Sequence, residues 1–150
     1  ELTTQMLATL FDFPWEERRK LTRWSDVATA GKENTHIIGS EEERRAELYE
    51  CVDYFTRLWN ERVNAPPRPD LISMLAHGES TRNMDRMEYL GNLILLIVGG
   101  NDTTRNSMSG GVYALNKYPG EYDKLRANPG LVLSMGSEII HWQTPLADMR

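Results

Sequence analysis

The chain has 150 residues, of which 17 are basic and 22 acidic, so its formal net charge at pH 7 is −5. This length allows a core without a disulfide framework, and the sequence contains a single cysteine. The acidic balance argues against a partner dominated by phosphate charge, so we expect no binding of nucleic acid. The longest apolar stretch, residues 93–98, is far shorter than the ~20 residues that a membrane span needs. We therefore expect no membrane span and a cytoplasmic location.

Apolar residues recur at helical spacing in nearly every segment, and no segment alternates as a strand does. The predicted fold class is therefore all-α. The first helix covers about residues 1–11, and a helical pattern that is already present at Glu1 suggests a piece of something longer. Pro14 suits the first turn of a second helix. The predicted apolar stripe of that helix consists of Leu21, Trp24, Val27 and Ala28.

Ser40 and Glu43 have the spacing of a capping box at the start of a third helix, which extends to about Val63. Its predicted buried face consists of Leu48, Cys51, Val52, Phe55, Leu58 and Trp59. Asp70 is expected to cap a short helix over residues 71–76, and residues 78–83 have the composition of a loop.

The pattern over residues 84–118 contains no proline and is interrupted only by Gly99 and Gly100. One continuous helix would be roughly 50 Å long, whereas a compact domain of this size is only about 38 Å across. Either the chain is part of a larger protein or two helices meet at the glycines. A short helix starting at Pro119 and a last helix over residues 131–142 follow. We treat residues 1–150 as a partial single domain.

Two interpretations of residues 98–104 remain open. The helix can stop at the glycines and restart with Asp102 or Thr103 as its N-cap, which the spacing alone favours. Alternatively one helix continues, and the Thr103 hydroxyl donates to the carbonyl of Gly99, which opens a local groove. The face shared by Gly99, Thr103, Asn106 and Gly110 then either approaches a flat ligand or packs closely against another helix.

Considered one at a time, the histidines, the cysteine and the Glu138/His141 pair do not predict a metal site or a catalytic site. His36, His77 and His141 are too far apart in the sequence for a local metal motif, so we expect no metal site in this chain. Cys51 lies on an apolar stripe, where a free cysteine is more often a small core residue than a nucleophile. Glu138 shares one helical face with His141, as many surface pairs do.

Two segments together resemble the cytochrome P450 family of haem-thiolate monooxygenases. Residues 99–104, Gly-Gly-Asn-Asp-Thr-Thr, match the family's oxygen-activating signature at every position, and residues 138–141 resemble its Glu-x-x-Arg pair, with His141 in place of arginine. The run over residues 138–147 is similar to soluble bacterial enzymes that hydroxylate the ends of alkanes and fatty acids. The resemblance implies a helical fragment of a mixed, mainly α fold, without the amino-terminal sheet and the loop that carries the cysteine ligand.

The resemblance implies a monooxygenase that inserts one atom of O2 into an apolar substrate, with haem as cofactor and a ferredoxin-type electron donor and its reductase as partners. It assigns proton relay to Asp102 and hydrogen bonding to bound dioxygen to Thr103, assisted by Thr104. It places Gly99 and Gly100 beside the porphyrin. It further implies a substrate pocket at Leu95, Leu96 and Val98, a structural pair of Glu138 and His141, and a haem-propionate contact at Arg150.

Cys51 lacks the glycine-rich context of the family's iron ligand. We therefore expect the isolated chain to have no thiolate for iron and to be inactive alone. The alternative function is a non-catalytic helical interaction or scaffold module.

Overall fold

The computed structural model describes residues 1–31, 34 and 36–144. These residues contain helices and no strand, which confirms the all-α prediction. The α-helices are α1 (Leu2–Phe11), α2 (Arg19–Thr29), α3 (Glu41–Val63), α4 (Leu71–His77), α5 (Arg86–Val98), α6 (Thr104–Lys117), α7 (Pro119–Ala127) and α8 (Val132–Gln143). A π-helical turn, Gly99–Thr103, links α5 and α6, and 3-10 helices cover Trp15–Glu17 and Pro129–Leu131. None of the described helices is both long and apolar enough to cross a bilayer.

Two predicted helix starts are wrong, for local reasons. Pro14 precedes the 3-10 helix Trp15–Glu17, and α2 begins only at Arg19. The long helix starts at Arg86 instead of residue 84, because the Asp85 carboxylate accepts the N–H groups of Met87 and Glu88 at 2.8 and 2.9 Å. A side chain that caps these donors fixes the first residue of the helix.

The predicted caps of α3 and α4 are present. Ser40 Oγ accepts the N–H of Glu43 at 3.1 Å, but the Glu43 carboxylate accepts the N–H of Gly39 instead of that of Ser40. The hydrogen bond from the Glu43 side chain therefore reaches one residue further back than in a standard capping box. Asp70 Oδ1 accepts the N–H of Ser73 at 2.8 Å and caps α4 as expected.

The chain divides into two compact units, residues 1–101 and 102–150. An aromatic cluster forms the centre of the first unit, with neighbouring ring centroids 4.9 to 6.3 Å apart. Its members are Phe11, Phe13, Trp24, Tyr54 and Phe55. The sequence prediction missed Tyr54, whose ring is buried and whose pKa burial raises to about 12.

The second unit packs α6 against α8 through glycines. A Cβ on Gly111 would lie 2.7 Å from Ile139 Cδ1, and one on Gly110 would lie 2.6 Å from Gln143 Cδ. Real Cβ atoms do not approach this closely, so a side chain at either position would have to displace Ile139 or Gln143. Gly110 therefore serves helix packing, one of the two uses expected for its face.

A buried ion-pair network connects three segments of the first unit. The Arg62 side chain is only 10% exposed, and it donates to Asp70 Oδ2 at 3.3 Å and to Asp12 Oδ2 at 2.8 Å. Asp70 also caps α4, so one carboxylate satisfies both a buried charge and a helix end. Loss of one partner from a buried pair is costly because the other charge stays buried.

We expect Asp70→Ala to lower the free energy of unfolding by about 2 to 4 kcal/mol, less than a complete loss because Arg62 keeps Asp12. Asp53→Ala is the matched control. It removes an exposed carboxylate paired with Arg86 and should cost at most about 1 kcal/mol. Urea unfolding followed by circular dichroism measures both values, and equal losses would contradict the role of the network.

Candidate active site

The glycine-threonine segment forms the π-helical turn Gly99–Thr103. Gly99 has φ −61° and ψ −38°, and Thr103 has φ −64° and ψ −39°, so the backbone stays right-handed and helical across the segment. The Thr103 side chain makes no capping hydrogen bond to α6. The interpretation in which the helix stops at the glycines and restarts is therefore wrong. Isolated π-helical turns within helices are frequent at functional sites.

The two glycines of the turn have different surroundings. A Cβ on Gly100 would lie 2.5 Å from Leu7 Cδ2, so the absence of a side chain lets α1 approach the turn. A Cβ on Gly99 would meet nothing within 4 Å, and Gly99 is exposed. Leu95 precedes Gly99 by four residues and is 66% exposed, so these two positions share one open side of the helix.

Asp102 has a charged partner that the sequence analysis missed. Arg105 Nη2 donates to Asp102 Oδ1 at 2.6 Å, and the side chains of Asp102 and Arg105 are 22% and 52% exposed. The i,i+3 spacing of an acid and a base was the available signal. A carboxylate that is partly buried and reaches solvent can exchange protons with water. Next to it, Ser107 Oγ donates to the carbonyl of Thr103 at 2.8 Å.

The turn brings Gly99, Gly100, Asp102, Thr103 and Thr104 onto consecutive positions of one helical segment. Leu95, Leu96 and Val98 precede the turn on α5, and the backbone N–H of Gly99 donates to the carbonyls of Leu95 and Leu96. Leu96 and Val98 are half-buried, Glu138 and His141 are exposed, and no ion pair links those two in the described part of the chain. Arg150 lies outside the described residues. Their roles stay predictions.

Cys51 is a core residue of α3, as expected. It is fully buried, and burial raises the pKa of its thiol to about 12. The thiolate that iron requires is therefore disfavoured at this position. No group of three or more His, Cys, Asp or Glu residues among the described positions could hold a metal ion. The open Gly99 side of the turn leaves room for a flat group, but the buried Cys51 offers iron no thiolate.

Comparison with known proteins supports the resemblance, although no family model matches the chain. The chain is 32% identical over 132 residues to linalool 8-monooxygenase of Pseudomonas putida, which covers 87% of this chain and 32% of that protein. The structure of cytochrome P450-153 from Novosphingobium aromaticivorans matches with 45% identity and a TM-score of 0.73, over 97% of this chain and 34% of that one. A P450 crystallised with acyl carrier protein bearing hexadec-9Z-enoic acid matches with 27% identity and a TM-score of 0.72, over 93% and 35%.

The two solved structures share their fold with the chain over nearly its whole length. The chain belongs to the cytochrome P450 family, whose cofactor is haem. It spans about one third of the length of the relatives that it matches.

We expect Gly99→Ala and Gly100→Ala to have opposite effects on stability. Alanine at the open position should raise the free energy of unfolding by about 0.5 to 1 kcal/mol, because glycine is a poor helix former. Alanine at Gly100 should lower it by about 1 to 3 kcal/mol, because the new methyl group displaces Leu7. Urea unfolding of the two variants tests the difference, and a gain in both would show that Leu7 yields freely.

We expect the chain, mixed with haem and reduced under carbon monoxide, to give no difference band of thiolate-ligated iron. Cys51 is buried and protonated at neutral pH, so it cannot serve as the ligand. Cys51→Ala should leave the spectrum unchanged. A strong thiolate band that Cys51→Ala abolishes would overturn the assignment of Cys51 to the core.

Proposed function

We propose that the protein to which this chain belongs is a haem-dependent monooxygenase that inserts one oxygen atom of O2 into an apolar substrate. The observation that carries this proposal is the π-helical turn, which combines an open glycine face with the partly buried carboxylate of Asp102 and the hydroxyls of Thr103 and Thr104. Bound haem with a thiolate ligand supplies the activation of dioxygen. This chain then supplies positioning and protons.

The proposal assigns a role to each residue of the turn. The exposed backbone at Gly99 lets a flat group lie against the helix without a side chain between them. The Thr103 hydroxyl would supply a hydrogen bond beside the haem when it is bound, with Thr104 in support. Asp102, held by Arg105 at 2.6 Å, takes protons from solvent and passes them inward. Leu95, Leu96 and Val98, just before the turn, form part of an apolar substrate wall.

We further propose terminal hydroxylation of alkanes or fatty acids, with a ferredoxin-type donor and its reductase delivering the electrons. The similarity of residues 138–147 to alkane and fatty-acid hydroxylases supports this substrate class. One relative adds support for the fatty-acid class, since it was crystallised with a hexadecenoic acyl group on acyl carrier protein. Incubation of the complete protein with n-alkanes and fatty acids, followed by analysis of the hydroxylated carbon, tests this. Hydroxylation of neither class would contradict it.

Thr103→Ala and Asp102→Asn in the complete protein test the proposed roles. Thr103→Ala should leave substrate binding intact, because the apolar wall is unchanged, but should lower the product formed per reduced nicotinamide consumed about tenfold and release more hydrogen peroxide. Asp102→Asn should slow turnover and enlarge the solvent isotope effect, since the proton relay is lost. Product yield, peroxide yield and turnover in light and heavy water are the measurements.

Thr56→Ala is the matched control for the threonine variant. Thr56 Oγ1 donates to the carbonyl of Val52 at 2.6 Å in α3, so the control removes a helical hydroxyl away from the turn. It should leave the product yield unchanged. Unchanged coupling in Thr103→Ala, together with unchanged turnover in Asp102→Asn, would refute the catalytic roles. A complete protein that does not bind haem would favour the interaction or scaffold module.

A further inference from the structure

Asn101 is a buried polar residue inside the π-helical turn. It is 1% exposed, and its Oδ1 atom accepts a hydrogen bond of 3.0 Å from Thr3 Oγ1, 98 positions earlier in the sequence. Its amide nitrogen Nδ2 is buried without a hydrogen-bond partner among the described residues. An unsatisfied buried donor lowers folding stability, so a reason other than stability is needed for asparagine at this position.

Other asparagines at helices use their side chains differently. Asn64, Asn92 and Asn116 each donate Nδ2 to the carbonyl oxygen four residues earlier, at 2.8, 2.9 and 2.7 Å. This local bond satisfies the amide within its own segment. Asn101 directs its side chain to α1 instead, so its hydrogen bond is a tertiary contact.

A second contact from α1 reaches the neighbouring residue of the turn. Leu7 follows Thr3 by four residues on α1, so both side chains lie on the same face of that helix. The Leu7 side chain lies next to Gly100, and the Thr3 hydroxyl donates to Asn101. Two consecutive residues at the start of the turn, Gly100 and Asn101, are therefore both next to α1.

We propose that Thr3 and Asn101 are positioning residues, whose hydrogen bond holds the π-helical turn in place and fixes the directions of Asp102 and Thr103, which follow directly in the chain. If the turn relaxed to a regular α-helix, the one-residue change in the hydrogen-bond ladder would rotate the next residues by about 100°. The catalytic consequence rests on the proposed function; the structural consequence does not.

The test is a double variant, Thr3→Val with Asn101→Leu, in the complete haem-loaded protein. Replacement of both partners by apolar groups of similar size leaves no orphaned donor, so the thermal midpoint should stay the same or rise. Amide hydrogen exchange over residues 99–103 should nevertheless accelerate about tenfold, because the turn loses its tether. Product formed per reduced nicotinamide consumed should fall about tenfold, because small displacements at a reaction centre are costly.

Thr4 supplies the matched control. Its hydroxyl pairs with that of Thr22 on α2 at 2.8 Å, so Thr4→Val with Thr22→Val removes a hydrogen bond of the same helix that does not reach the turn. The control should keep the parental exchange and product yield. Thr3→Ser, which retains the hydroxyl, should keep them as well.

Parental exchange and product yield in the double variant would overturn the proposal, as would equal changes in the Thr4 control. If the double variant does not fold, Thr3→Val alone is measured by the same two readouts and decided by the same outcomes. If the parent protein shows no oxygenase activity, the proposed function fails, while exchange over residues 99–103 still decides whether the hydrogen bond positions the turn.

Discussion

The close approach of α1 to Gly100 and Asn101 is the constraint that links the core of the first unit to the start of the π-helical turn. Leu7 is 2% exposed and belongs to the same buried cluster as Phe11 and Phe55. It also fills the space that a side chain at Gly100 would need. The side chain of Leu7, a core residue, thus lies where a side chain at Gly100 would have to be. The start of the turn cannot shift without disturbing a close-packed interior, which resists small displacements.

Helix identity was predictable because amphipathic periodicity is a local property. The faces of α2 and α3 were predicted from spacing alone, and Trp24, Cys51 and Phe55 are indeed buried. Helix starts were less predictable where several polar residues compete. Helix α5 begins two residues after the predicted start, because the Asp85 carboxylate caps it. The ring of Tyr54 was missed because tyrosine combines an apolar ring with a polar end.

The candidate site shows where local reasoning fails. Two adjacent glycines favour a helix end, because glycine lowers helix propensity and Asp or Thr caps well. The structure instead keeps the helix and widens it by one π-helical turn. The contacts at this point come from Thr3 and Leu7, almost 100 positions away, and no window of sequence contains them. The signature residues were found by resemblance, whereas their backbone geometry required the tertiary structure.

Burial differs between the two units, and it decides which residues are available for chemistry. Cys51 is packed in the apolar interior of the first unit. Burial raises the pKa of its thiol, so the thiol is protonated and unavailable to iron. In the described part of the second unit only Gly110 and Gly111 are buried, while Leu133 is 92% exposed. Apolar surface of this kind is typical of contact with further protein. Under the proposed function, this chain therefore contributes backbone and side-chain groups that position the reacting molecules and transfer protons. The cysteine ligand of the iron comes from residues that this chain does not contain.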